Sequence, residues 1–349
     1  MLKSLSLSLA LAAVTAITPA SVSFAALSKD SASYYFQLGK AEITNRRYSV
    51  AWTQFEKAAK HNPEDADIQM AIAEVCTKMN RMAPAVKALE SVSKLRPNDN
   101  ATTWKLVQLY YYYGQYARVV ELLPGLHQRY SDTKGWAFML GKSYQSAQNY
   151  GKAIDYMKMS LKDEPENFSE ANYQIGRMMV QMSNYQGALP FYDAALKADT
   201  TQPNRVYEFA LVLATAGQFD ASIKQFQTAL ERGFKARDDF WMNMAYTLAD
   251  AHKGGEAIEM MKGMLVRRPG DLGLISGLAD ICYHSGRLKD AIGYWDQMLA
   301  VDGKNARALY QIGLAYIKMG KDADGKQLCD QAIAMDPSLS VLRHQKQMF

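Results

Sequence analysis

The sequence predicts an all-α fold, a solenoid of about nine tandem helix–turn–helix repeats. Three observations predict it. Short motifs recur at a period of 34 residues, prolines close the periods, and apolar residues within one period fall at three- and four-residue steps. The recurring motif is Ala-Ile with a bulky residue three positions beyond, as in Ala153-Ile154-Met157, Ala257-Ile258-Met261 and Ala291-Ile292-Trp295. Ala51-Trp52-Phe55 is a related version nearer the start. Pro63 and Pro97 stand one period apart, and Pro97 and Pro165, like Pro269 and Pro337, stand two apart.

The beginning of the chain obeys different rules. Met1 to Lys3 give a positive start, and Leu5 to Ile17 form an apolar run broken only by small hydroxyl residues. Crossing a bilayer takes ~20 apolar residues, so this run reads as the core of a signal peptide. Ser23-Phe24-Ala25 puts small side chains at the two positions a signal peptidase reads, which sets the cut after Ala25. Residues 1–25 are therefore expected to be a cleaved signal peptide of an exported chain, periplasmic or secreted. Residues 26–31 read as a linker, and the mature chain as lacking a transmembrane segment. No Cys lies near the cut, so a bacterial lipoprotein anchor is not expected.

From Ala32 onward the repeats run without interruption. They are expected to start near Ala32, Ala66, Asn100, Lys134, Ser169, Pro203, Asp238, Leu272 and Ala306. The last of them shows the internal pattern. Leu309, Ile312, Gly313 and Tyr316 mark one helical face, Met319-Gly320-Lys321 breaks the helix, and Leu328, Cys329, Ala332 and Ile333 mark a second face that Pro337 stops. In the third repeat Pro124 falls inside the second helix, Gly125 weakens it further and Ser131 replaces the closing proline. A bend is expected there, dividing repeats 1–3 (32–133) from repeats 4–9 (134–337). Residues 338–349, with Leu339, Val341, Leu342 and Met348, are expected to cap the last repeat.

Leu38-Gly39, Tyr48, Ala51, Phe55, Ala58 and Pro63 fall at the positions of one known repeat pattern. Leu140-Gly141, Tyr144, Tyr150, Ala153, Met157 and Pro165 repeat it, as do Ile175-Gly176, Tyr185, Ala188, Tyr192 and Ala195. By these residues the chain resembles the tetratricopeptide repeat (TPR) family over almost the whole mature sequence. The steric logic is that small residues at positions 8, 20 and 27 let two helices approach while a large residue at position 24 fills the space beside them.

The resemblance implies a right-handed superhelical solenoid whose concave face is lined by the first helix of each repeat. It implies that position 5 of each repeat points into that groove: Phe36, Met70, Trp104, Phe138, Tyr173 and Tyr207, then Met242, Ser276 and Tyr310. Position 9 adds Lys40, Gln108, Lys142 and Arg177, with Glu74 among them, and Tyr111 and Tyr112 join Trp104 in the third repeat. Such a row offers large, stiff contact surfaces to a protein or peptide partner at low entropic cost. The Lys and Asn arrangement with which TPR co-chaperones clamp a C-terminal carboxylate is not reproduced. The resemblance also fits a structural adaptor of an exopolysaccharide-export or outer-membrane assembly machine, where exported members of the family are often found. Since carbohydrate (polysaccharide) stacks on aromatic rings too, the row alone does not separate the two.

Composition argues against other classes. The 40 Lys and Arg against 35 Asp and Glu leave a net charge of +5, too small and too dispersed for a nucleic-acid track. Three distant cysteines (Cys76, Cys282 and Cys329) do not make a disulfide framework and read as small apolar core residues. The five histidines lie at least thirty residues apart and supply no paired zinc spacing. No phosphate loop occurs, and Ser276 in the Gly273 to Gly277 stretch stands one place too late for a nucleophile elbow. The sequence therefore reads as a non-catalytic chain with no cofactor and no metal.

Overall fold

The computed structural model describes residues 20–345. The apolar run of the expected signal peptide, Leu5–Ile17, lies outside the described residues, as does Met348 of the expected cap. The described chain is all-α and falls into two compact units, divided between Met159 and Ser160.

The first unit holds helix pairs in chain order: α1 (Ala20–Thr44) with α2 (Tyr48–His61), α3 (Ala66–Lys78) with α4 (Met82–Leu95), and α5 (Asn100–Tyr112) with α6 (Tyr116–Arg129). α7 (Trp136–Ser146) follows, and α8 (Tyr150–Asp163) runs across the division. The second unit continues with α9 (Phe168–Gln181), α10 (Tyr185–Ala198), α11 (Pro203–Thr215), α12 (Phe219–Glu231) and α13 (Asp238–Asp250). α14 (Gly254–Arg267), α15 (Leu272–His284), α16 (Leu288–Val301), α17 (Ala306–Lys318) and α18 (Asp322–Met335) complete the repeats, and the short α19 (Ser340–Gln345) follows a single turn of 3₁₀ helix. This is a tandem solenoid of helix pairs. The expected repeat starts at Ala66, Asn100, Pro203, Asp238, Leu272 and Ala306 are helix starts.

Each pair packs as the spacing requires. At position 20, Ala51, Ala85, Ala153, Ala188, Ala257 and Ala291 are all fully buried. At position 24, Phe55, Leu89, Leu123, Met157, Tyr192, Phe226, Met261 and Trp295 are buried beside them. Position 8 is where the first helix meets that large side chain. A Cβ on Gly39 would lie 2.4 Å from the Phe55 ring, one on Gly141 2.5 Å from Met157, and one on Gly176 2.7 Å from Tyr192. In the sixth repeat a serine occupies position 20, and its Oγ donates to the Ala210 carbonyl at 2.7 Å, so the buried hydroxyl is satisfied.

The turn inside every repeat has one conformation. Arg46, Asn80, Gly114, Gln148, Ser183, Gly217, His252, Gly286 and Gly320 all stand at φ between 56° and 79°, one in each repeat. The residue after each donates back into the first helix, as Gln218 does to the Leu213 carbonyl at 2.8 Å, closing the helix C-terminus in a Schellman-type arrangement. Five of the nine are not glycine, so the geometry is imposed by packing of the pair and not by glycine alone.

Three expectations need correction. Residues 26–31, expected as a linker, lie within α1, since nothing in Ala26 to Ser31 stops a helix. α6 runs unbroken through Pro124 from Tyr116 to Arg129. The chain does not divide at residue 133, because one core joins Val119, Leu123 and Leu126 to Leu140 across that point. His127 also stacks on Trp136 there, at 3.7 Å between ring centroids. At the end of the chain Leu339 is buried against the last repeat, with Tyr310 and Cys329, whereas Val341 and Leu342 are exposed. The three cysteines are buried.

Candidate functional site

In the first compact unit, the expected contact residues keep part of their surface open. Phe36 is half-buried, its ring 5.7 Å from Phe55, with the exposed Lys40 ammonium 5.2 Å from its centroid. Met70 and Trp104 rest half-buried on the same core, and Phe138 and Lys142 are half-buried on α7. Gln108 is exposed. Tyr111 is half-buried, edge-on to Tyr116 at 5.8 Å, while Tyr112 is 73% exposed and touches Tyr113 edge-on at 5.0 Å.

Between α3 and α5 the row opens into a cavity of 360 Å³. Met70, Ala73, Leu89 and Leu109 form its apolar wall, and Glu74, Thr77, Lys78, Lys105 and Gln108 stand around it. The Lys105 ammonium lies 3.7 Å from the Glu74 carboxylate, with both side chains more than half exposed. The cavity has a sequence origin. Position 5 carries a ring in the repeats on either side, Phe36 and Trp104, and only the slimmer Met70 here, next to the small Ala73.

The second unit treats its position-5 rings differently. Tyr173 is buried, and its hydroxyl donates to Glu208 Oε2 at 2.7 Å. The Arg205 guanidinium lies over the ring at 4.1 Å and pairs with Glu170, whose other oxygen accepts from Gln174 Nε2 at 2.7 Å. Arg177, exposed, stands 5.7 Å from the same ring. Burial, with the Glu208 bond second, pushes the Tyr173 phenol up to about 12. Tyr207 is half-buried among Phe226, Phe234 and Phe240, its hydroxyl accepting from Asn243 Nδ2 at 2.9 Å. Its phenol is also raised, first by burial. Tyr173 is thus not an open contact ring: Arg205 covers it and Glu208 holds its hydroxyl. Sequence reading missed Glu170, Arg205 and Glu208, although acidic and basic residues 35 positions apart on successive first helices were a signal for such pairs.

On the side of the second helices, a further cavity of 410 Å³ is lined in part by Pro124, His127, Trp136 and Tyr156. His127 Nδ1 lies 2.8 Å from Thr133 Oγ1, which ties this ring pair to the irregular connection before α7. Among the described residues no group of three His, Cys, Asp or Glu side chains is placed to hold a metal ion. Among them no helix is long and apolar enough to cross a membrane.

Comparison with known proteins agrees with this architecture. Profiles described as tetratricopeptide repeat match residues 43–109, 138–203, 207–271 and 306–339, together about two thirds of the chain. TPR repeat-containing protein YpiA of Bacillus subtilis (strain 168) is 18% identical over 301 residues, which cover 84% of this chain and 63% of YpiA. Tetratricopeptide repeat protein 21A of Mus musculus is 22% identical over 285 residues, 74% of this chain and 22% of that protein. The chain therefore spans less than two thirds of the length of either relative. Among solved structures, a tetratricopeptide repeat protein from Parabacteroides merdae ATCC 43184 is 14% identical with a TM-score of 0.43, covering 72% of this chain and 98% of its own.

Proposed function

Because the chain belongs to the tetratricopeptide repeat family, we infer that it works as a non-catalytic protein–protein interaction scaffold. The face that grips a peptide or partner protein is the open row on the first helices of repeats 1–4. One observation carries this assignment. Phe36, Met70, Trp104 and Phe138 remain half-buried, with Lys40, Gln108 and Tyr112 exposed beside them, whereas the equivalent Tyr173 is sealed by its own neighbours. Half-buried rings on a rigid helix lose little entropy when a partner covers the rest of them. The proposed place of action is the cell envelope or the exterior, on the strength of the N-terminal sequence pattern.

Two measurements test this reading. Trp104→Ala and Phe138→Ala, combined in the full chain, are expected to abolish capture of a partner from envelope extract while the circular dichroism spectrum stays helical. Undiminished capture by the folded variant would sink the assignment. For location, protein purified from its native source is expected to begin at Ala26, and a chain that still begins at Met1 would overturn export.

A further inference from the structure

We propose that the cavity between α3 and α5 is a side-chain pocket for a peptide that presents an aliphatic residue immediately next to an acidic one. The proposal rests on the interaction-scaffold reading above and names what one part of that face selects. Size is the first argument. At 360 Å³ the cavity lies near the lower end of the ~300–1,000 Å³ range of ligand sites, room for one or two side chains and not for a folded element. Its wall of Met70, Ala73, Leu89 and Leu109 is apolar, and the one hydroxyl on the lining, that of Thr77, already donates to the Ala73 carbonyl at 2.8 Å. Water there is therefore poorly held, and an aliphatic group displaces it favourably.

Charge at the mouth supplies the second argument. Two ammonium groups, Lys78 and Lys105, face one carboxylate, Glu74, around an apolar floor. Glu74 and Lys105 are 3.7 Å apart and solvent-exposed, a pairing weak enough to be exchanged for a peptide carboxylate. The excess at the mouth is positive, so an acidic neighbour to the inserted residue is favoured and a basic one opposed. Gln108, exposed on the rim, can both donate to and accept from an extended peptide backbone. Met70 suits the role of an adaptable wall, since its unbranched thioether follows the shape of what enters.

The test uses the full chain and fluorescein-labelled synthetic peptides of one Gly/Ser-rich frame carrying Leu-Glu, Ala-Glu or Leu-Lys at the centre, read by fluorescence anisotropy. The Leu-Glu peptide is expected to bind at least about ten-fold more tightly than either of the others. Met70→Trp, which places here the ring that the next repeat carries at Trp104, is expected to remove the preference for Leu over Ala. Lys78→Glu with Lys105→Glu, both at exposed positions, is expected to reverse the preference between Leu-Glu and Leu-Lys. Thermal melts of each variant check that the fold is retained. Equal binding of all three peptides overturns the pocket while leaving the interaction face standing. No binding of any peptide also overturns the pocket, and the Trp104 and Phe138 capture experiment then judges the face by itself.

Discussion

The Tyr173 hydroxyl donates to Glu208 at 2.7 Å, and this bond ties the first helix of one repeat, α9, to the first helix of the next, α11. With Arg205 stacked on the ring and paired with Glu170, four side chains form a polar seam where an open ring was expected. The seam has a pH signature. A free phenol titrates near 10, and burial holds that of Tyr173 up to about 12. A folded-state value above the unfolded one means that the stabilisation is complete below about pH 10 and is lost as pH rises through about 12. Urea midpoints measured from pH 8 upward are expected to fall above about pH 10, and Tyr173→Phe is expected to make that fall shallower. At pH 8 the same variant should lose about 1.5–3 kcal/mol, the worth of a hydrogen bond to a charged acceptor. An unchanged alkaline slope in Tyr173→Phe would assign the effect to the other raised phenols, Tyr192 and Tyr207 among them.

The turn residues make an opposed pair of substitutions. Ser183 and Gly217 hold the same left-handed conformation, at φ 59° and 77°, with matching bonds back into their helices. A Cβ at Gly217 would meet nothing within 4 Å, so Gly217→Ala carries a torsional cost alone, about 1 kcal/mol. Ser183→Gly removes that cost and is expected to stabilise by about 0.5–1 kcal/mol. Chemical denaturation of the two single variants should move the midpoint in opposite directions.

Much of this fold was legible from spacing. Helix pairs, small residues at positions 8 and 20 and large ones at 24 follow from periodicity and volume, both of which are written locally. The burial of Tyr173 was not legible in that way. It depends on Arg205 and Glu208, which lie more than thirty residues away and become neighbours only when repeats stack. Pro124 misled for a related reason. A proline weakens an isolated helix, yet here Val119, Leu123 and Leu126 on α6 are fully buried, and that packing holds the helix through it. The cavity beside Met70 was readable only as a difference between repeats, a thioether where the flanking repeats carry rings.

Helix starts carry separable contributions. Asp65 Oδ1 accepts from the Asp67 and Ile68 backbone N–H groups at 2.9 and 3.3 Å, capping α3, the helix that supplies Met70 and Glu74. Asp65→Ala is expected to cost about 1 kcal/mol and Asp65→Asn much less, since either Asp or Asn can cap. Hydrogen exchange at Asp67 and Ile68 gives the local readout. Protection there equal to wild type in Asp65→Ala would show that the cap is not what holds this helix start.

Close approach inside the pair sets the largest expected cost. Ala291 is fully buried at position 20, and Ala291→Leu adds atoms where none fit, for about 1–3 kcal/mol of destabilisation. Gly313→Ala acts through the same contact in the last repeat: its Cβ would lie 2.6 Å from Cys329 Sγ and 2.7 Å from the Gly325 carbonyl. Backbone cannot yield as a side-chain end can, so this change should cost at least as much as Ala291→Leu. Gly263 in α14 is the control, because a Cβ there meets nothing within 4 Å. Gly263→Ala is expected to stabilise by about 0.5–1 kcal/mol through helix propensity alone. If Gly313→Ala and Gly263→Ala shift the urea midpoint alike, steric approach at position 8 is not what limits the repeat, and the packing rule drawn from positions 8, 20 and 24 fails with it.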